Sequence, residues 1–170
     1  MNTVYFRKTV ILIIALIIFT GLCGCGDKEE VSSATTQTTY ATAPPLLDFD
    51  ISDLVTVEQV ENALGVSVGE AKLADENTTV RYSSDDPLSY MEISIIESSR
   101  EDFDETVALY EDAEDTLNLG QVAKWSNEYN QLLVYNGKHM ISVTAAAAGK
   151  SKDALLIAAR QIAVFVIEKI

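Results

Sequence analysis

Gly65-Val66-Ser67-Val68-Gly69 fits the pattern G-x-S-x-G. That pattern lifts a serine on a strained turn from a strand into a helix, where a histidine can take its proton. The chemistry would be acyl transfer or hydrolysis with Ser67 as nucleophile, and His139, the sole histidine, would be the base. The order of elements argues against it. The residues before Gly65 read as a helix, and Glu70 to Asn77 read as an acidic loop, so the strand that gives the motif its meaning is missing. An envelope hydrolase using Ser67 therefore stands as the alternative reading, and Gly65 is explained as a helix stop.

Metal chemistry needs His, Cys or acids clustered at fixed spacing. One histidine and two cysteines, Cys23 and Cys25, exclude a zinc or iron site of soft ligands in the rest of the chain. Eight acids fall among the fifteen residues from Glu101 to Asp115, without the alternating acids and central glycine of a calcium loop. They read as the solvated face of a helix whose inner stripe is Phe103, Val107 and Tyr110. No metal and no cofactor is expected. Trp125, Tyr129 and Tyr135 lie close to His139 and would either line a ligand groove or form the core and rim of a sheet. The sequence assigns no catalytic residue and leaves the ligand-binding residues unknown.

Charge narrows the partners. Residues 1–24 hold Arg7 and Lys8 and no acid, so the remainder carries 10 cations against 26 acids, a net charge of −16. Such a surface repels phosphate backbones, which excludes nucleic acid as a partner. It attracts a cationic protein face or a cationic peptide instead.

The first residues carry an address. A basic start containing Arg7 and Lys8 precedes ten unbroken apolar residues, Val10 to Phe19. That is the layout of a secretory signal peptide, and the run is shorter than the roughly 20 residues of a spanning helix. Leu22-Cys23-Gly24-Cys25 follows. This stretch resembles the lipobox of bacterial lipoproteins, in which small residues precede a cysteine that receives a diacylglycerol. Cys25 has Gly24 before it, whereas Cys23 follows the bulky Leu22, so Cys25 is the expected lipid attachment site. The resemblance implies cleavage after residue 24 and a lipid-anchored protein on the outer face of the cytoplasmic membrane. It also implies a membrane partner through the anchor. No cysteine lies beyond Cys25, so the exported part must be held by its core alone.

Residues 25–45 form the next unit. Ser32 to Thr42 holds five Thr and two Ser among eleven residues, and Pro44-Pro45 closes the stretch. It cannot bury enough apolar area to offset its ordering entropy and reads as a disordered tether, its threonines either bare or glycosylated.

Residues 46–170 read as a single globular domain. Thr56-Val57-Glu58-Gln59 and Ser98-Ser99-Arg100-Glu101 read as capping boxes, the second opening a helix to about Leu117. Val55 and Val60 would staple the first. Thr79 to Ser83, Met91 to Ile95, Val122 to Trp125, Gln131 to Tyr135 and Lys138 to Ala146 read as strands. Asn136-Gly137 predicts a two-residue type I′ hairpin with positive φ at both residues, pairing Val134 with His139 and Leu132 with Ile141. Ser151 caps a last helix with Leu155, Ala159, Ile162 and Val166 at helical spacing. Between Ala154 and Ile167 only Arg160 and Gln161 are polar, so this helix is either sandwiched in the fold or offers its outer side to a partner. The pattern predicts an α+β fold, an antiparallel sheet of about five strands with three helices packed on it. Ala63-Leu64-Gly65 at a helix end, hairpins around one Trp and an Ala-rich last helix resemble small domains of uncharacterised Gram-positive lipoproteins. Outer sensor domains of some bacterial kinases are similar. The resemblance implies a binding, interaction or sensor module.

Overall fold

The structure, a computed structural model, describes residues 47–116 and 118–170. The expected signal segment 1–24, the expected lipid site Cys25 and the expected tether 25–45 lie outside the described residues.

The fold is α+β. Helix α1 (Val57–Leu64) starts where its sequence says it should: Thr56 Oγ1 accepts from Gln59 N–H, and Gln59 Oε1 accepts from Thr56 N–H. Val55 and Val60 are both buried beside this cap, as a staple requires. Gly65 ends the helix at φ 67°, a left-handed position that costs glycine little.

Three strands follow, β1 (Lys72–Ala74), β2 (Thr79–Ser83) and β3 (Tyr90–Glu97). Helix α2 (Arg100–Val107) leads to β4 (Glu114–Asp115), β5 (Val122–Ser126), β6 (Gln131–Tyr135) and β7 (His139–Ala146), and helix α3 (Lys152–Ile167) comes last. The seven strands form one sheet in the order β1-β2-β3-β7-β6-β5-β4, every neighbour antiparallel. The expected count of about five falls short by β1 and β4. These edge strands have three and two residues, all exposed, and so carry no alternation for a pattern to detect.

One sheet face is the core side. Met91, Ile93 and Ile95 of β3 and Ile141, Val143 and Ala145 of β7 are buried there against Leu155, Ala158, Ala159, Ile162, Ala163 and Val166 of α3. Alanines facing larger side chains let the helix settle close to the strands. Each buried Ile, Leu or Val contributes about 1.5–3 kcal/mol. Tyr82 joins this core, and its hydroxyl donates to the Val55 carbonyl at 2.5 Å.

Helix α2 lies on the opposite face. Phe103, Val107 and Tyr110 pack on Leu133, Tyr135, Val122 and Met140, positions that alternate with the core-side residues of their strands. Two expectations about α2 are corrected. Its cap is Ser99, closed by Asp102 rather than Glu101, a shift of one residue. The helix stops at Val107 instead of Leu117, because the next acids take partners outside it. Asp112 accepts from Ser126 Oγ at 2.6 Å and Glu128 N–H at 2.7 Å, and Asp115 pairs with Lys124 at 2.9 Å. Four acids at a helix C-terminus would also face the negative end of its dipole.

The β6–β7 hairpin differs in register. Tyr135 pairs with Met140, Val134 with Ile141 and Leu132 with Val143. Asn136 is the last residue before the loop: its N–H donates to His139 O, and its Oδ1 accepts from the N–H groups of Lys138 and His139. Gly137, at φ 109°, is the one loop residue with positive φ. The slip against the expected pairing is two residues, so every side chain keeps its face.

Candidate functional site

The residues singled out by sequence do not converge. Ser67 is exposed in the loop after α1, where Val68 N–H donates to Glu61 Oε1 and Gly69 N–H donates to Ser83 O. No strand enters this turn. His139 is 3 % exposed, and neither ring nitrogen has a hydrogen-bond partner, so no Ser67–His139 pair is formed. Burial pushes its pKa below the ordinary imidazole value, with Lys138 adding to the effect.

The aromatic group is split by strand alternation. Trp125 is in the core beside α3, its Nε1 donating to Asn127 Oδ1. Tyr135 points to the other face against Phe103, and Tyr129 is exposed, edge-on to Tyr110. They line no common groove. The eight acids divide between α2 and the segment from Glu111 to Asp115. Among the described residues no group of three or more His, Cys, Asp or Glu is placed to share a metal ion, and no helix is long and apolar enough to cross a membrane.

Helix α3 is embedded on one side and open on the other. Ile157 and Val164 are 57 % and 39 % exposed, and Gln161 lies between them on the same face. Arg160 donates to Thr116 Oγ1 at 2.7 Å.

A site that sequence reasoning missed lies on the α2 side of the sheet. Helix α2 packs over β5, β6 and the start of β7 there and leaves β2, β3 and the rest of β7 open. The register aligns Thr79, Ser94 and Ser142 in one cross-strand row and Arg81, Glu92, Thr144 and Gln131 in the next. All of these but Arg81, together with Thr106 and Tyr110 of the α2 segment and Asp75 of the β1–β2 connection, line a largely polar trough of about 220 Å3 to which Leu133 and Met140 add apolar surface.

Its hydrogen-bonding groups are pre-set. Tyr110 OH donates to Gln131 Oε1 at 2.6 Å, and Gln131 Nε2 donates to Ser142 Oγ at 2.5 Å. Ser142 thus receives one bond and keeps its own O–H to donate. Burial raises the Tyr110 pKa, with Tyr129 adding to it, so this phenol stays a donor. Arg81 binds Glu92 Oε2 at 3.1 Å and lies 3.7 Å over the centre of the Tyr90 ring. The guanidinium is therefore engaged at the edge, and Glu92 still presents a carboxylate to the trough. A floor of hydroxyls and an amide can exchange hydrogen bonds with a polar ligand, while Glu92 and Asp75 favour one that carries positive charge.

The signal for this site was the alternation of polar residues at positions 92 and 94 in β3 and 142 and 144 in β7. What the sequence withholds is that β3 and β7 are neighbours. A wider groove of about 380 Å3, lined by Lys150, Ser151 and Lys152 among others, opens at the start of α3, but Lys152 Nζ is already committed to Asn127 O and Asn130 Oδ1.

Compared with known proteins, the chain matches no family model, no curated protein and no solved structure.

Proposed function

We propose that this protein is a non-enzymatic binding or sensor module held on the outer face of the cytoplasmic membrane by a lipid on Cys25, and that the trough between α2 and β2 is its recognition surface. The observation that carries the reading is the half-covered sheet face. A sheet face exposed for no purpose would need no helix walling one side and no Tyr110–Gln131–Ser142 chain fixing a hydroxyl in its floor. The excess of 14 acids over cations in the whole chain supports a cationic protein or peptide as partner. Residues 25–45 would act as the spacer between membrane and domain.

Anchor and surface are tested separately. Cys25→Ala should release the protein from the membrane fraction or leave it unprocessed, and Cys23→Ala should leave lipid labelling intact. The reverse pattern would move the attachment to Cys23. For the surface, Ser142→Trp fills the trough without removing a core residue. Wild type should bind immobilised oligolysine in low salt and Ser142→Trp should bind several-fold less. Equal retention of the two would place recognition elsewhere.

A further inference from the structure

His139 is an anomaly of this fold. Buried polar atoms are nearly always paired, yet both nitrogens of this imidazole, at 3 % exposure, have no partner. The ring sits at the start of β7 on the core side of the sheet. Phe49 packs against it, edge-on at 5.8 Å between ring centres and 81° between planes.

Phe49 belongs to a short strap, residues 47–50, just ahead of the turn Ile51–Asp53. That turn is firmly seated. Asp50 Oδ1 accepts from Ser52 N–H and Oγ, Asp53 N–H donates to Asp50 O, and Ile51, Leu54 and Val55 are buried. Asp50 is a ready pivot, because the Ser52 bonds hold its carboxyl below the usual carboxylate range and keep it charged in mild acid.

Three charged groups act on the imidazole: Lys138 beside it in the chain, Glu97 as its pairing partner on β3, and Asp48 on the strap. Lys138 and Glu97 are 3.4 Å apart and act on it in opposite directions. A neutral imidazole has one N–H to leave unsatisfied. Protonation adds a second donor and a charge, and the closed seat offers no acceptor for either. Water and the carboxylates of Glu97 and Asp48 become reachable if Phe49 moves away.

We propose that residues 47–50 are a proton-sensitive strap: Phe49 seals neutral His139 near neutral pH, and protonation of His139 lifts the strap from the sheet. The sign follows from linkage. The closed state binds the proton more weakly than the open one, so closure is fully favoured above the ordinary imidazole value of about 6.5. Below it the closed state loses up to tenfold in population ratio per pH unit, until the pKa of the closed state is reached. The segment that joins the domain to the lipidated end would thus be docked at neutral pH and released in acid. This inference does not depend on what the trough binds.

The chain has one histidine, so the full-length protein in detergent micelles gives a single imidazole NMR titration without assignment ambiguity. The expected midpoint lies below 6.5, and cross-relaxation between the Phe49 and His139 rings should vanish over the same pH range. Phe49→Ala should raise the midpoint toward the ordinary value, because the cover is gone. In His139→Leu the Phe49 ring signals should stay unchanged across that range, and should this variant not fold, the Phe49→Ala midpoint decides alone. A wild-type midpoint at the ordinary value would overturn the proposal. So would ring contact that persists through the midpoint, or a midpoint indifferent to Phe49→Ala.

Discussion

Gly120 and Gly137 both have positive φ, at 55° and 109°, but their surroundings differ. A Cβ at Gly120 would lie 2.5 Å from Tyr135 O and 2.7 Å from Val134 Cγ1, atoms fixed in β6, where Tyr135 O also accepts from Gln121 N–H. A Cβ at Gly137 would meet only the movable amide end of Gln121. Backbone strain alone costs of order 1–3 kcal/mol, so both alanine variants should melt lower, and Gly120→Ala should lose clearly more than Gly137→Ala in thermal denaturation. Tyr82→Phe should cost about 1–3 kcal/mol in urea unfolding, since it leaves the Val55 carbonyl buried without its donor. Single residues were only partly legible. Gly65, Thr56 and Ser151 announce themselves through local chemistry, and each does in the fold what its type suggests. Ser67 matched a motif whose strand is missing, and His139 stood beside it only as the sole histidine. The burial of His139, and the bond that Ser142 receives from Gln131, depend on which strands become neighbours, and no local pattern encodes that.

Helix α2 shows how far an element can be read. Its start is marked by capping chemistry and was legible to within one residue. Its end was not, because the competition is settled by distant partners: Ser126 for Asp112, and Lys124 for Asp115. The cap remains a measurable part of its stability. Ser99→Ala should cost about 1 kcal/mol, within a range of roughly 0.5–2, and lower the melting temperature by about 2 to 8 °C per kcal/mol. Phe103→Ala removes the residue by which α2 is seated on Leu133 and Tyr135 and should cost about 3–5 kcal/mol by the same assay. A Phe103→Ala variant as stable as the wild type would show that α2 is not held by that contact, and the wall of the trough would go with it.

At the scale of the molecule, the hairpins and the α+β class follow from period-two alternation and turn residues. The joining of the two halves does not. Residues of β3 and β7 are brought together across α2, β4 and two hairpins, and their eight paired positions form the centre of the sheet. The trough exists because of that pairing: it places Glu92 beside Thr144 and Ser94 beside Ser142, while α2 stops short of covering them. If the trough is the recognition surface for a cationic partner, amide NMR mapping will locate the bound peptide there. The full-length protein in detergent is titrated with a tetralysine peptide at low and at high salt. Shifts should centre on Thr79, Glu92, Ser94, Ser142 and Thr144 and should be weakened by salt and by Glu92→Gln. Shifts confined to the acidic face of α2 or to the exposed side of α3, with the trough amides unmoved, would contradict that role for the trough.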